Sequence, residues 1–200
     1  MARRITVTPG QLTLLTSAFV VIVLNGTFWA RVVTAVQPTG AMDYLFVAVF
    51  AVTLIAILDA ALSLAAFPLV LKSLAVTLVA ISAALAYFVH EFGTAIDANM
   101  VRNVLETDAR EAIDFATPRL FGFILLLGIL PTLLIAWVPI SWRPASQQPF
   151  ANLARAALSG TIATVLIFAF FATFASVIRE NRGLLFVLVP SNAIAAGSKY

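Results

Sequence analysis

Two hundred residues that are 62% hydrophobic and 10% charged, with a mean hydropathy of +1.05, exclude an ordinary soluble domain, in which about a quarter of residues are charged. The absence of cysteine excludes disulfide and thiolate chemistry, and with a single histidine no structural zinc site is expected within the chain. A net charge of +3 without a basic run interleaved with aromatics gives no sign of a nucleic-acid partner. The class that fits is an all-α polytopic membrane protein.

Arg3 and Arg4 precede a first apolar segment, Leu12 to Ala30. It is longer than the core of about 7–15 residues of a cleaved signal peptide, and no small-residue cleavage site follows it, so it reads as a retained span. Thr13, Thr16, Ser17, Asn25 and Thr27 within it are expected to face other helices, where polar groups hydrogen-bond across the bundle. Arg31 to Asp43 reads as a short connection.

A second span is expected over Tyr44 to Phe67, with Asp59 inside it, about 12 Å from its end at about 1.5 Å per residue. The expectation is a buried carboxylate bonded to Ser or Thr of a neighbouring helix. The alternative is a residue of an ion path. Pro68 to Lys72 is a tight reversal, and a third span, Ser73 to Val89, is the marginal one in length. A fourth, Leu120 to Val138, contains Gly128 and Pro131 and is expected to kink. Pro139 to Asn152 reads as a polar loop, and Leu153 to Val177 as a fifth span rich in Phe. The five run from 17 to 25 residues, enough to cross a hydrocarbon core of about 30 Å. Trp29, Trp137 and Trp142 lie near span ends, where they suit interfacial anchoring. No internal repeat of the transporter kind is evident.

Between the third and fourth spans lies the one long stretch that does not suit lipid, Asp97 to Thr117. Arg102, Glu106, Arg110 and Asp114 step by four along one ridge, and each opposite-charge pair adds about 0.2–0.5 kcal/mol to an isolated helix. Val101, Val104, Leu105, Ala112 and Phe115 make the apolar face, and Asn103, Thr107 and Glu111 form a third stripe. Asp97 reads as the N-cap, and Thr117-Pro118 as the N-cap and first position of the next helix. The prediction is an amphipathic surface helix over about 97–117 beside five transmembrane helices. His90, at the membrane edge beside Glu91, reads as an interfacial side chain.

With the N-terminus inside, the inner segments hold Arg3, Arg4, Lys72, Arg143 and Arg155 and no acid, whereas the outer segments hold eight of the nine acids. The positive-inside rule then places the polar helix and the C-terminus on the outer, periplasmic side. Residues 1–178 make the bundle. Residues 179–200 carry the apolar hexad Leu184 to Val189, too short to cross and suited to the interface, and read as the start of a linker.

The run Tyr87-Phe88, Gly93, Asp97, Met100, Asn103, Thr107, Glu111-Ala112 resembles the signature of the membrane domain of lipid A phosphoethanolamine transferases, which include the colistin (polymyxin)-resistance enzymes. Phe174-Ala-Ser176, Arg179, Leu185 and Pro190-Ser-Asn192 resemble the segment after that family's fifth span, and Asn25, Phe28 and Trp29 the end of its first. Phe92 stands where Tyr is common, and Ser73 follows Lys72 where Pro is usual.

The resemblance implies a donor site for phosphatidylethanolamine at Asn103, Thr107 and Glu111. It also implies an inner-membrane location, lipid A as acceptor, and a covalent threonine intermediate. The zinc ions and that threonine belong to a periplasmic catalytic domain with no counterpart in these 200 residues, so no cofactor is expected in this chain, and Thr107 is not the nucleophile. The chemistry of the donor site is consistent: Glu111 can hold an ammonium by a charge-assisted hydrogen bond, and Asn103 and Thr107 can bond phosphate oxygens. Alternatives are a standalone, non-enzymatic membrane protein and a channel or transporter built on Asp59.

Overall fold

The computed structural model describes residues 6–92, 117–181, 183–184 and 187–190. Eight α-helices are seen among them, joined in places by π-helical turns. They are α1 (Pro9–Ala18, continuing as a π-helix over Phe19–Val23), α2 (Gly26–Val36), α3 (Ala41–Leu64), α4 (Val70–Phe92), α5 (Pro118–Phe123, leading into a π-helix over Ile124–Ile129), α6 (Leu130–Trp137), α7 (Gln148–Ala169) and α8 (Phe171–Glu180). Strand pairing among the described residues is a single parallel bridge, Val7 to Ile140. The predicted surface helix, apart from Thr117, lies outside the described residues.

Four stretches are long and apolar enough to cross a membrane unaided: Ala41–Leu64, Val70–Glu91, Pro118–Trp137 and Gln148–Ala169. The fifth candidate is a bent pair, Pro9–Val23 with Gly26–Val36, whose axes differ by 62°. The first span, expected over 12–30, is thus a bent pair that begins at Pro9 and reaches Val36, and the reading of 31–43 as a connection is corrected. Helix α2 runs to Val36 and ends with Gln37 in the left-handed region at φ 46°. The third span is not marginal, since α4 reaches 23 residues. The fifth starts earlier than expected, at Gln148, and breaks at Phe170.

Local chemistry accounts for these ends. Thr8 caps α1, accepting from Gln11 N–H while Gln11 Oε1 accepts from Thr8 N–H, a reciprocal pair that satisfies two otherwise unpaired donors. Asp43 reaches back one turn, its Oδ2 accepting from the N–H groups of Gly40 and Thr39 at 3.0 Å each, which fixes the start of α3. In the fourth span the expected irregularity is a π-helical turn rather than a simple kink. Pro131 has no N–H to give, and Leu130 N–H bonds the carbonyl of Leu125, five residues back.

The bend after α1 is organised by Asn25, 2% exposed. Its Nδ2 donates to the carbonyls of Val20 and Val189 at 2.9 Å each, and its Oδ1 accepts from Val189 N–H at 2.8 Å. Trp29 Nε1 donates to the Val21 carbonyl at 2.7 Å, so two side chains absorb carbonyls that the broken helix leaves open. The other end of the bond is the apolar hexad. Leu184, Val187 and Val189 are buried, packed with Phe28, Val32, Phe46, Phe50 and Phe174. Leu184, Val187 and Val189 are therefore seated in the bundle. Edge-to-face ring pairs knit the cluster, with Phe28–Phe50, Phe50–Phe174 and Phe46–Phe174 centroids 5.7, 5.1 and 5.0 Å apart; such pairs add about 0.5–1.5 kcal/mol each beyond area burial. Trp29 belongs to this packing, whereas Trp137 is 85% exposed and suits the interfacial role expected of it.

At the end where the chain begins, polar contacts replace rings. Helices α3 and α7 form the most extensive pair in the bundle. Between them Asp59, 1% exposed, accepts from Ser159 Oγ at 2.7 Å and faces Arg155, whose Nε and Nη2 lie 3.4 Å from its two carboxylate oxygens. The expected serine partner is present. Arg155, counted in an inner segment by charge, instead stands within α7 as the counter-ion. Gly10 of α1 makes room for it: a Cβ there would come within 2.5 Å of Nη1 and 2.9 Å of Cδ of Arg155. Nearby, Asn152 Nδ2 donates to the Ala66 carbonyl at 2.8 Å and Gln148 Nε2 to Asn152 Oδ1 at 2.8 Å, so the end of α3 is tied to the start of α7.

Removing one partner of a buried ion pair strands the other. Because Arg155 is one-third exposed, we expect Arg155→Gln to cost about 2–3 kcal/mol, below the 3–5 kcal/mol typical of full burial. Gly10→Ala should cost less, and the double variant should be no worse than Arg155→Gln, since both changes break one contact. Thermal unfolding in detergent measures this. Additive losses would mean that Gly10 does not act through Arg155.

Candidate functional site

The three residues expected to hold the donor lipid, Asn103, Thr107 and Glu111, lie outside the described residues. What the structure describes is the frame that flanks them in the chain: the last turn of α4, which precedes residues 93–116, and the first turn of α5, which follows them.

This frame is closed by side chains from both helices. Tyr87, 4% exposed, has its hydroxyl 3.2 Å from Thr117 Oγ1. Thr117 Oγ1 also accepts from Leu120 N–H at 3.2 Å, which makes it the N-cap of α5 with Pro118 at the first helical position, as expected. One residue thus starts a helix and joins it to its neighbour. Arg119 Nη1 lies 3.3 Å from Glu91 Oε2, and its Nη2 is 3.2 Å from His90 Nε2. A guanidinium only donates, so that imidazole nitrogen accepts. The His90 ring stacks on Phe123 at 6.5 Å and 18°, and Tyr87 meets the same Phe edge-on at 5.6 Å.

His90 is indeed at a helix end, but its partners were not foreseen, and Arg119 was not singled out at all. The signal available was weak: an Arg at the second position of a helix, some thirty positions from its partners. Among the described residues, no group of three or more His, Cys, Asp or Glu is placed to hold a metal ion. The described residues therefore offer zinc no ligand set.

Chemically, the frame brings together a cation, a carboxylate, an imidazole and two hydroxyls at one edge of the bundle. Residues 54–200 match the family described as phosphoethanolamine transferase EptA/EptB. The chain belongs to that family. Phosphoethanolamine transferase EptA of Salmonella typhimurium is 30% identical over 186 residues, covering 92% of this chain and 34% of the relative. Phosphatidylethanolamine transferase Mcr-1 of Escherichia coli is 29% identical over 121 residues, covering 60% of this chain and 22% of the relative. Among solved structures, the integral membrane lipooligosaccharide phosphoethanolamine transferase A of Neisseria meningitidis superposes with a TM-score of 0.87 at 30% identity, over 94% of this chain and 35% of that one. The chain thus spans about a third of the length of these phosphoethanolamine transferases and corresponds to their membrane domain.

Within that domain the cap and the ion pair contribute unequally. Thr117→Ala should lower stability by about 1–2 kcal/mol, since it removes an N-cap and an inter-helix hydrogen bond together. Arg119→Ala should cost about 0.2–1 kcal/mol, as Arg119 is two-thirds exposed. The second loss should shrink when salt is raised from about 0.01 M to about 1 M, and the first should not. Unfolding midpoints of the two variants at both salt levels check this.

Proposed function

We propose that this chain is the membrane-anchoring and donor-lipid-binding part of a phosphoethanolamine transferase that moves phosphoethanolamine from phosphatidylethanolamine to lipid A in the bacterial inner membrane. Its N-terminus would be cytoplasmic and residues 93–116 periplasmic. The observation that supports this most is the closed frame of Tyr87, Thr117, Glu91 and Arg119, which fixes both ends of the segment bearing Asn103, Thr107 and Glu111. A headgroup site needs such a foundation, because a charge-assisted hydrogen bond depends on placement. Glu111 would attract the ethanolamine ammonium, and Asn103 and Thr107 would bond the phosphate.

Holding a donor lipid beside a tethered catalytic unit raises its effective concentration, which is how a membrane domain without catalytic residues contributes to rate. In phosphatidylglycerol nanodiscs titrated with phosphatidylethanolamine, the chain should bind the donor. Glu111→Ala should weaken binding about tenfold, the equivalent of about 1.4 kcal/mol, and Asn103→Ala should weaken it less. Unchanged binding in both variants rejects the site. With no native cysteine, Asn103→Cys also gives a single label position; reaction with an impermeant maleimide from the cytoplasmic side alone would reject the orientation.

A further inference from the structure

Far from that frame, at the end of the bundle where the chain begins, a cavity of about 740 Å³ lies between α1, α4 and α6. Its floor is Leu12, Thr16 and Val79, each under 5% exposed; its walls are Leu15, Leu134 and Trp137, each more than half exposed. The bridge between Val7 and Ile140 closes its end, with Val7 N–H donating to Pro139 and Ser141 N–H to Val7 at 3.0 Å each. A groove with a buried floor and exposed walls on the flank of two spans is open sideways to lipid.

A cation stands beside this groove, just outside its lining. Lys72, half-buried in the first turn of α4, donates from Nζ to the Ala136 carbonyl at 2.8 Å, between the two lining residues Ile135 and Trp137. Lys72 and Val79 are seven residues apart on one face of α4, so their backbone positions are about 10.5 Å apart along the helix axis. That is the spacing from a headgroup into the upper part of a leaflet about 15 Å deep. An ammonium has three donors and only one is used by the α6 carbonyl. Arg143 follows the Val7–Ile140 bridge in the chain, and Asp59 of α3 is buried and paired with Arg155.

We propose that this groove binds one glycerophospholipid from the leaflet on the side of the N-terminus, an acyl chain lying over Val79 and Leu12 and the phosphate resting on Lys72. The site differs in leaflet and in chemistry from the ethanolamine site built on Glu111: it reads a phosphate and a hydrocarbon chain, not an ammonium. Its occupant would join α1 to α6 across a gap that protein atoms leave unfilled.

The test is native mass spectrometry of the detergent-solubilised chain in the Asn103→Ala/Glu111→Ala background, which removes the other lipid site. Phosphatidylglycerol, phosphatidylethanolamine and diacylglycerol serve as probes. Both phospholipids should bind one per chain. Leu134→Trp, which fills the groove, should reduce this at least tenfold, whereas Leu133→Trp, an exposed position outside it, should not. Lys72→Gln should weaken both phospholipids several-fold and leave diacylglycerol unchanged. Equal retention by the two Trp variants overturns the proposal, as does equal loss of diacylglycerol in Lys72→Gln. A chain dimer that Leu134→Trp dissociates would give the groove to a second copy and overturn it too.

Discussion

A carboxylate that is 1% exposed inside a span of mean hydropathy 2.6 has to be answered by its neighbours. Leaving Asp59 alone and ionised in that setting would cost several kcal/mol. The answer comes from a single face of α7, where Arg155 and Ser159 stand four residues apart and so reach the same point on α3. Because the pair is satisfied only when α3 and α7 are in register, it specifies their alignment as well as their contact. Helix α1 then fits against the result, with Gly10 at the place where the guanidinium passes. Three of the five crossings are thus set by one charge.

The two ends of the bundle solve different problems. Where the chain begins, backbone carbonyls at Ala66 and Ala136 are taken up by Asn152 and Lys72, and a short bridge joins residue 7 to residue 140. These contacts bind loops whose ends would otherwise expose unpaired carbonyls to an interface with little water. The far end is packed by rings from α2, α3 and α8 and by the apolar residues that follow α8. It also carries the α4–α5 frame, where the two helices are joined by a hydroxyl contact and an ion pair. Anchoring by polar bonds on one side and by aromatic packing on the other leaves residues 93–116 with a fixed base.

The spans were legible because their signal is length against bilayer thickness, which needs no knowledge of partners. Thr117-Pro118 was legible for a similar reason: an N-cap and a first-position proline act within one turn. The break at Asn25 was not. An amide in an apolar run announces a hydrogen bond but not its direction, and here the partner is Val189, 164 positions away. Arg155 was misplaced by the same kind of gap. Counting charges treats an arginine near a span end as a loop residue, and only the carboxylate 96 positions earlier shows why it enters the bundle. The start of the fifth span was missed because Gln148 and Asn152 look like loop residues until their acceptor at Ala66 is seen. The stripe of Asn103, Thr107 and Glu111 lies outside the described residues, so its reading rests on helical spacing and on the resemblance to the family's membrane domain.

Asn25 has a consequence for whatever the polypeptide does after leaving the bundle. Its carboxamide grips the backbone of residue 189 through both N–H and carbonyl, so the exit is a mooring and not a swivel. Whatever the chain does beyond residue 190 would be counted from this knot rather than from the last turn of α8, which keeps its starting point at this end of the bundle.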